Sequence, residues 1–493
     1  MSTQCLASSG SPAAQTSHLD VKRLTANYKP SIWSHDFLQS LHIDDRNHEE
    51  VYKDNRWKLI EEDLKNVIDA ESLETTLELI DDIQRLGLGH RFEASITEAL
   101  DKVLKNLDQI TNEDTPSLHL TALSFRLLRQ HGFQVSQDVF KIFMDCDDSF
   151  KDCLCKDVKG MLSLYEASFL GIEGETLLDE ALAFTSMHLK NLSRLQVTQG
   201  KGVLEQVSHA LEMPLHHRMQ SLEARWYIEA YSKKADANQV LLEFAKLDYN
   251  VVQQTYQRDL KDISRWDVNA VEILSDYQLK LCFLALYNTV NEMTYETLKE
   301  QGVNVLPYVR KAWADMCKTW LTEAKWRHNK YTPTFEEYLA NAWISVSGVV
   351  ILVHTYFLLN QNISDEALKC LENHHDLLRW PSLIFRLSND LVTSKAELER
   401  GETATSISCI RRDGVVSNEE SARKYISNLI ENSWKKMNKD GLLFGASPFT
   451  KEFVAATMNL ARIAQCIYQY GDGIGAPDKR VKNQILAVIV QPV

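Results

Sequence analysis

Arg386-Leu-Ser-Asn-Asp-Leu-Val-Thr-Ser-Lys-Ala-Glu-Leu-Glu-Arg-Gly401 is a run of helix-forming residues that stops at a glycine, where a helix would end. Within it Asn389, Thr393 and Glu397 stand four residues apart. At about 100° per residue, each step of four drifts by only about 40°, so the three oxygen-bearing side chains form one stripe about two turns long. An amide, a hydroxyl and a carboxylate are hard donors, suited to Mg²⁺ or Mn²⁺ rather than to zinc. A polar triple at this spacing is also common on solvated helix faces, so its meaning depends on its surroundings.

Outward from this stretch the chain reads as helix after helix. Apolar positions recur at helical spacing over 61–70, 96–104, 120–130 and 178–189, while strand alternation is scarce and no internal repeat shows. Loops are marked by Thr115-Pro116, Met213-Pro214 and Thr332-Pro333-Thr334. The expectation is an all-α chain of two helical domains, dividing near residues 206 to 214.

From Tyr338 to Ser364 there is no charged residue, so length alone would admit a membrane span. The serines, asparagines, His354 and Gly348 within it, and the lack of a basic flank, favour instead a buried central helix that bends at Gly348. No membrane span is therefore expected.

Composition excludes some partners. Acidic residues exceed basic ones by 68 to 54, giving a net charge of −14 and no basis for a nucleic-acid partner held through phosphates. Nine cysteines without a Cys-x-x-Cys pair read as reduced thiols rather than a disulfide framework or a zinc site. The adjacent pairs His216-His217 and His374-His375 diverge by about 100° on a helix and read as structural. Residues 1–22 read as a short leader or tail. Residues 1–19 are free of acidic side chains and rich in Ser, Ala and Thr, yet lack arginine, which favours a cytosolic protein with the chloroplast stroma as the alternative.

The motif and its neighbours together resemble the class I terpene synthases of plants, closest to the angiosperm monoterpene and isoprene synthase branch. The stripe is similar to their Asn/Asp-Asp-x-x-Ser/Thr-x-x-x-Glu magnesium motif. Arg23 and Trp33 resemble the Arg-Arg-x8-Trp signature, with Leu24 in the second arginine position. The segments at 79–89, 125–132, 164–168, 335–343 and 470–473 follow in family order. The resemblance implies an amino-terminal α-barrel-like domain, 23–205, and a carboxy-terminal metal-binding helical bundle, 206–493. It also implies magnesium-assisted ionisation of an allylic prenyl diphosphate in an apolar, aromatic cavity.

Carried over by position, Asn389, Thr393 and Glu397 would ligate magnesium and Arg386 would meet the diphosphate. Asp390, about 100° round from Asn389, would support or face solvent. Phe385 and Gly348 would line the pocket, and Tyr470 and Asp472 would belong to a segment closing its mouth, or to a turn before the last helix. No other catalytic side chain is assigned. A monomer is expected, with association through exposed apolar surface as the alternative.

One departure stands out. In the family a long segment with an Arg-x-Arg element and an Asp-Asp-x-x-Asp helix follows Ser-Arg-Trp, whereas here Ser264-Arg-Trp266 runs directly into Asp267-Val-Asn-Ala270. The seam reads as an internal deletion between 266 and 267, leaving the bundle incomplete, weakening catalysis and exposing apolar helix faces such as 338–364. Asp44-Asp45, Asp81-Asp82 and the acidic run at 147–152 are not expected to replace the lost carboxylates. Phe385 fits an isoprene-forming pocket but Val346 and Thr405 do not, which favours geranyl diphosphate and a monoterpene product. The alternatives are a sesquiterpene or isoprene synthase, or a non-catalytic helical protein that binds prenyl diphosphate or an intact paralogue.

Overall fold

The computed structural model describes residues 32–41, 58, 62, 72–107, 116–195, 201–264, 276–359, 361–402, 404–442 and 447–493. Arg23, Asp44, Asp45, the helix expected over 61–70 apart from Glu62, and the seam at 266/267 lie outside them. Among the described residues there is no β-strand, only an isolated antiparallel bridge between Met144 and Phe150.

The first helices are α1 (His35–Gln39), α2 (Leu73–Arg85), α3 (Glu93–Lys105), α4 (Leu118–Gln130), α5 (Val158–Ser168), α6 (Thr176–Leu195) and α7 (Lys201–Glu212). Their starts follow from local chemistry, since Ser72 and Ser117 accept the N–H of Thr75 and Leu120 as N-caps. Apolar residues of α2 to α5 meet in one core around Ile80, Ile96, Phe125 and Leu164. The two arginines of α4 are buried and both are paired with carboxylates. Arg126 pairs with Asp81 at 2.7 Å, and Arg129 forks onto Glu175 and also donates to the carbonyls of Val135 and Leu170.

Helices α8 (Gln220–Ser232) and α9 (Gln239–Ile263) follow. Tyr227, Tyr231, Leu241 and Phe244 belong to the same core as α2 to α5, so this core includes residues beyond 214. Helix α9 also meets the carboxy-terminal end of the chain, where Gln253 and Gln257 donate to the carbonyls of Ala487, Val488 and Ile489.

The carboxy-terminal part comprises α10 (Asp276–Gln301), α11 (Leu306–His328), α12 (Phe335–Ser345), α13 (Gly348–Leu358), α14 (Asp365–Glu372), α15 (Asp376–Glu399), α16 (Ser406–Arg412), α17 (Glu419–Leu442), α18 (Lys451–Tyr468) and α19 (Lys479–Ile489). Helix α15 is its axis, packed by α12, α13, α16, α17 and α18. It ends at Arg400, and Gly401 takes the left-handed conformation with φ +84°.

The apolar stretch after Tyr338 is not one bent helix. It breaks into α12 and α13 at Ser347, which sits at φ +75°, a conformation unusual for a residue with a side chain. Gly348 is therefore not the bend itself. A Cβ there would meet Cβ and Cα of Ser382 on α15 at 2.9 and 3.1 Å, so the glycine allows the two helices to touch. Phe335–Leu358 is long and apolar enough to cross a membrane by length and composition, but 61% of its window is buried inside the fold.

The exposed apolar surface lies elsewhere than on 338–364, where Ile351 and Leu358 are the exposed large apolar side chains among the described residues. It is concentrated on α10, with Phe283 (67% exposed), Leu284, Tyr287, Tyr295 and Leu298, and continues to Trp320 and Leu321 on α11. Helices α12 and α13 escape because α11, α15 and α18 already enclose them.

A short segment at 214–218 lies between the two parts and bonds to both. Leu215 N–H donates to Glu166 Oε2 at 2.8 Å, His216 Nε2 bonds Asn438 Oδ1 at 2.7 Å, and Asn438 Nδ2 donates to the carbonyls of Phe169 and Gly171. His217 stacks on Trp434 at 4.2 Å. Burial pushes the His216 imidazole down to about 3 and that of His217 well below its usual range, so both are neutral packing groups. His375 accepts the N–H of Leu377 as the N-cap of α15, and His374 lies edge-on to Trp343.

Candidate metal and diphosphate site

Helix α15 presents Arg386, Asn389, Thr393 and Glu397 along one side. Thr393 is buried, Asn389 and Glu397 half-buried. The Thr393 hydroxyl donates to the Asn389 main-chain carbonyl at 3.0 Å, one turn before it on the same helix. Burial pushes the Glu397 carboxyl up to about 7, and the Asp390 charge adds to this while the Thr393 hydroxyl opposes it. A carboxylate this costly to ionise gains most from a nearby cation. Its donors are hard oxygens spaced one turn apart, so the row fits a magnesium ion as one side of a coordination shell.

Arg386 is half-buried and held by protein groups. Nε donates to Ala342 O at 3.2 Å, Nη2 to Ser345 Oγ at 2.9 Å and Nη1 to Asn389 Oδ1 at 3.4 Å. Tyr338, Asp390, Glu323 and Glu397 together hold its guanidinium above the ordinary range against the cost of burial. It lies beside the row permanently charged, its Nη1 reaching Asn389.

Asp390 is neither at the surface nor in the row. It is fully buried, and its Oδ2 accepts from Tyr338 OH at 2.6 Å and from Ser406 N–H at 2.9 Å. The residue thus ties α15 to α12 and to the start of α16. Tyr338 lies in the sequence motif 335–343, but nothing in the sequence announces its partner.

Tyr468, at the end of α18, is a residue that sequence reasoning missed. Its hydroxyl bonds Asn389, its ring lies 6.2 Å from that of Phe385, and burial pushes its phenol up to about 12. Phe385 is half-buried beside it. The two rings and Asn389 form a wall next to the row.

Tyr470 and Asp472 point to other tasks in this conformation. Tyr470 OH donates to Glu212 at the end of α7, and Arg480 stands over its ring. Asp472 Oδ1 accepts the N–H groups of Ile474 and Gly475, which makes it the residue that forms a turn.

The other acidic groups are engaged elsewhere. Asp81 pairs with Arg126, and Asp82 accepts from Lys234 at 2.8 Å and Tyr227 at 2.5 Å. Asp145 closes the turn that exposes Asp147 and Asp148. Among the described residues Glu74, Glu78 and His119 are close enough to share a cation, but Lys159 already stands between the two glutamates as an ion-pair partner.

Comparison with known proteins accounts for this arrangement. Residues 32–211 match the terpene synthase N-terminal domain, and residues 260–436 the terpene synthase family metal-binding domain. The chloroplastic tricyclene synthase of Medicago truncatula is 46% identical over 550 residues, spanning 96% of this chain and 92% of the relative. The chain belongs to the terpene synthase family. The isoprene synthase of Populus tremuloides is also 46% identical, over 96% of this chain and 90% of its own length. Among solved structures, this terpene synthase is similar to isoprene synthase from grey poplar in complex with three Mg²⁺ ions and dimethylallyl-S-thiolodiphosphate. The TM-score is 0.81 and the identity 45%, covering 94% of this chain and 99% of that one. Limonene synthase with 2-fluorolinalyl diphosphate gives a TM-score of 0.85 at 32% identity, covering 95% and 99%.

Proposed function

We propose that this terpene synthase ionises geranyl diphosphate, with magnesium, and releases a monoterpene. The observation that carries the reading is the row of Asn389, Thr393 and Glu397 on one side of a buried helix, with the Arg386 guanidinium at its near end. When bound, the magnesium ions would neutralise charge on the departing diphosphate. The chain's own contribution is to keep Arg386 charged and aimed at that group, and to offer the Phe385 and Tyr468 rings, whose faces attract a carbocation without trapping it. Relatives named as tricyclene, myrcene and isoprene synthases bracket the choice of chain length. Val346, which ends α12 beside the break, and Thr405, which caps α16, are the residues that favour the larger substrate over dimethylallyl diphosphate.

The proposal includes an internal deletion between Trp266 and Asp267 that lowers activity. An alignment of 550 positions against a chain of 493 leaves at least 57 positions without a residue in this chain. The apolar outer face of α10, which starts a few residues after the seam, fits the loss of a covering segment. Several relatives are chloroplastic by name, and on that ground we favour the chloroplast stroma over the cytosolic expectation.

The test is incubation of the purified chain with Mg²⁺ and dimethylallyl, geranyl or farnesyl diphosphate, with gas chromatography of the volatiles. A second version carries a relative's segment inserted at 266/267. A monoterpene from geranyl diphosphate, formed faster by the restored version, is expected. No volatile from either version sinks the reading.

A further inference from the structure

Arg386 is held by a hydrogen-bonded relay that begins two helices away. Its Nη2 donates to Ser345 Oγ at 2.9 Å, and the Ser345 hydroxyl donates to Glu323 Oε1 at 2.5 Å. Glu323 lies on α11 and is fixed by Asn341 of α12, whose Nδ2 donates to the same oxygen at 3.1 Å. Ser345 is gripped a second time from α11, because Trp320 Nε1 donates to its carbonyl at 2.9 Å. That carbonyl is available because the break at Ser347 ends the helical ladder at this point.

The relay has one direction. The Ser345 hydroxyl has a single proton and a choice of acceptors, Glu323 at 2.5 Å or the Ala342 carbonyl at 3.2 Å. Ala342 O already accepts from Arg386 Nε. Sending the proton to the carboxylate leaves the Ser345 lone pairs facing the guanidinium, and each bond polarises the next.

We infer that Glu323, acting through Ser345, is a positioning residue for Arg386 and sets the angle at which its guanidinium meets an anionic diphosphate. The inference rests on the reading that Arg386 contacts the diphosphate. Without the carboxylate, the hydroxyl proton turns to Ala342 O and competes there with Arg386 Nε, while Ser345 Oγ becomes a less polarised acceptor for Nη2, so the fork loosens on the side away from the row. A rotated fork contacts the anion through one N–H instead of two, since bidentate recognition depends on orientation.

The experiment is calorimetric titration of inorganic diphosphate, in excess Mg²⁺, into the full chain and into Glu323→Ala, Ser345→Ala, the double variant, Glu323→Gln and Arg386→Ala, with thermal unfolding of each. Glu323→Ala and Ser345→Ala are each expected to weaken binding about five- to tenfold, as loss of one charge-assisted contact would. The double variant should lose no more than either alone, because the two residues act in series. Glu323→Gln, which keeps an acceptor for the hydroxyl, should recover most of the loss. Unchanged binding in the Glu323 and Ser345 variants, with binding lost in Arg386→Ala, overturns the relay and leaves the role of Arg386 standing. Losses that merely follow a lowered unfolding temperature, with no recovery in Glu323→Gln, also overturn it. Unchanged binding in Arg386→Ala, or none in the parent chain, overturns both.

Discussion

The phenol of Tyr338 donates to Asp390 Oδ2 at 2.6 Å, with both side chains sealed from solvent. A buried carboxylate needs such donors, and Asp390 Oδ1 has no hydrogen-bond partner of its own. Tyr338→Phe leaves the carboxylate with the Ser406 N–H and the more distant Arg386. The expected cost is about 1.5–3 kcal/mol, the range for a hydrogen bond to a charged group. Denaturant unfolding of the two proteins measures it, and a difference below about 0.5 kcal/mol would show that Asp390 does not depend on this donor.

Gly348→Ala tests the contact between α13 and α15. The new methyl would meet the Cβ and Cα of Ser382 at 2.9 and 3.1 Å, and the second of these is backbone that cannot swing aside. Overpacking of this kind costs about 1–3 kcal/mol. Because Ser382 lies one turn before Arg386, the variant should also weaken diphosphate binding, whereas Gly302→Ala, at a glycine with open space and positive φ, should cost stability through backbone strain alone.

Glu397→Gln keeps the shape of the row and removes its only charge. With Mg²⁺ present, diphosphate binding should fall at least about tenfold relative to the parent, the loss of one charged ligand from a divalent site. With Mg²⁺ stripped by a chelator, parent and variant should bind equally weakly. Equal loss in both conditions would mean that Glu397 serves the fold rather than a cation.

The shared face of Asn389, Thr393 and Glu397 was legible from sequence because a helix converts spacing directly into a row, and Gly401 ended the helix where its composition says it should. Helix content was legible for the same reason. Tyr468 and Glu323 were not, since each reaches α15 from another helix and no local pattern encodes which helices touch. Asp390 showed its angle but not its burial, which depends on Tyr338 and on the start of α16. Gly348 was read as flexible when its use is smallness, a distinction that only the position of Ser382 can make.

Glu166 gives the fold a pH dependence. Its carboxyl is half-buried beside residues 214–218, and desolvation pushes it up to about 7 against the pull of the Leu215 N–H and of Arg126, Arg85 and Arg218. The folded chain therefore binds this proton more tightly than the unfolded chain. The associated stability is fully present below the unfolded value near 4.5 and is lost as pH rises through about 7. The full contribution is about 3 kcal/mol as an upper bound. Glu397, raised to about 7 as well, acts in the same direction. Glu166→Gln should flatten the fall in stability between those limits, measured by unfolding at a series of pH values. An unchanged slope would place the effect elsewhere.

The outward face of α10 makes the last prediction. Phe283 and Tyr287 stack on each other at 6.3 Å while both remain more than half exposed, an arrangement that places aromatic surface against water. Insertion of a relative's segment at 266/267 should cover this face if the deletion is what uncovered it. The restored chain should then bind less of an environment-sensitive apolar dye and unfold at a higher temperature, and Phe283→Ser should reduce dye binding in the present chain but destabilise the restored one. The change of sign is the informative part. Burying an aromatic side chain of this size contributes about 1.5–3 kcal/mol, so the same substitution that is harmless on an open surface becomes costly once the face is packed. Equal behaviour of Phe283→Ser in both chains would mean that the inserted segment settles elsewhere and that α10 is open for another reason.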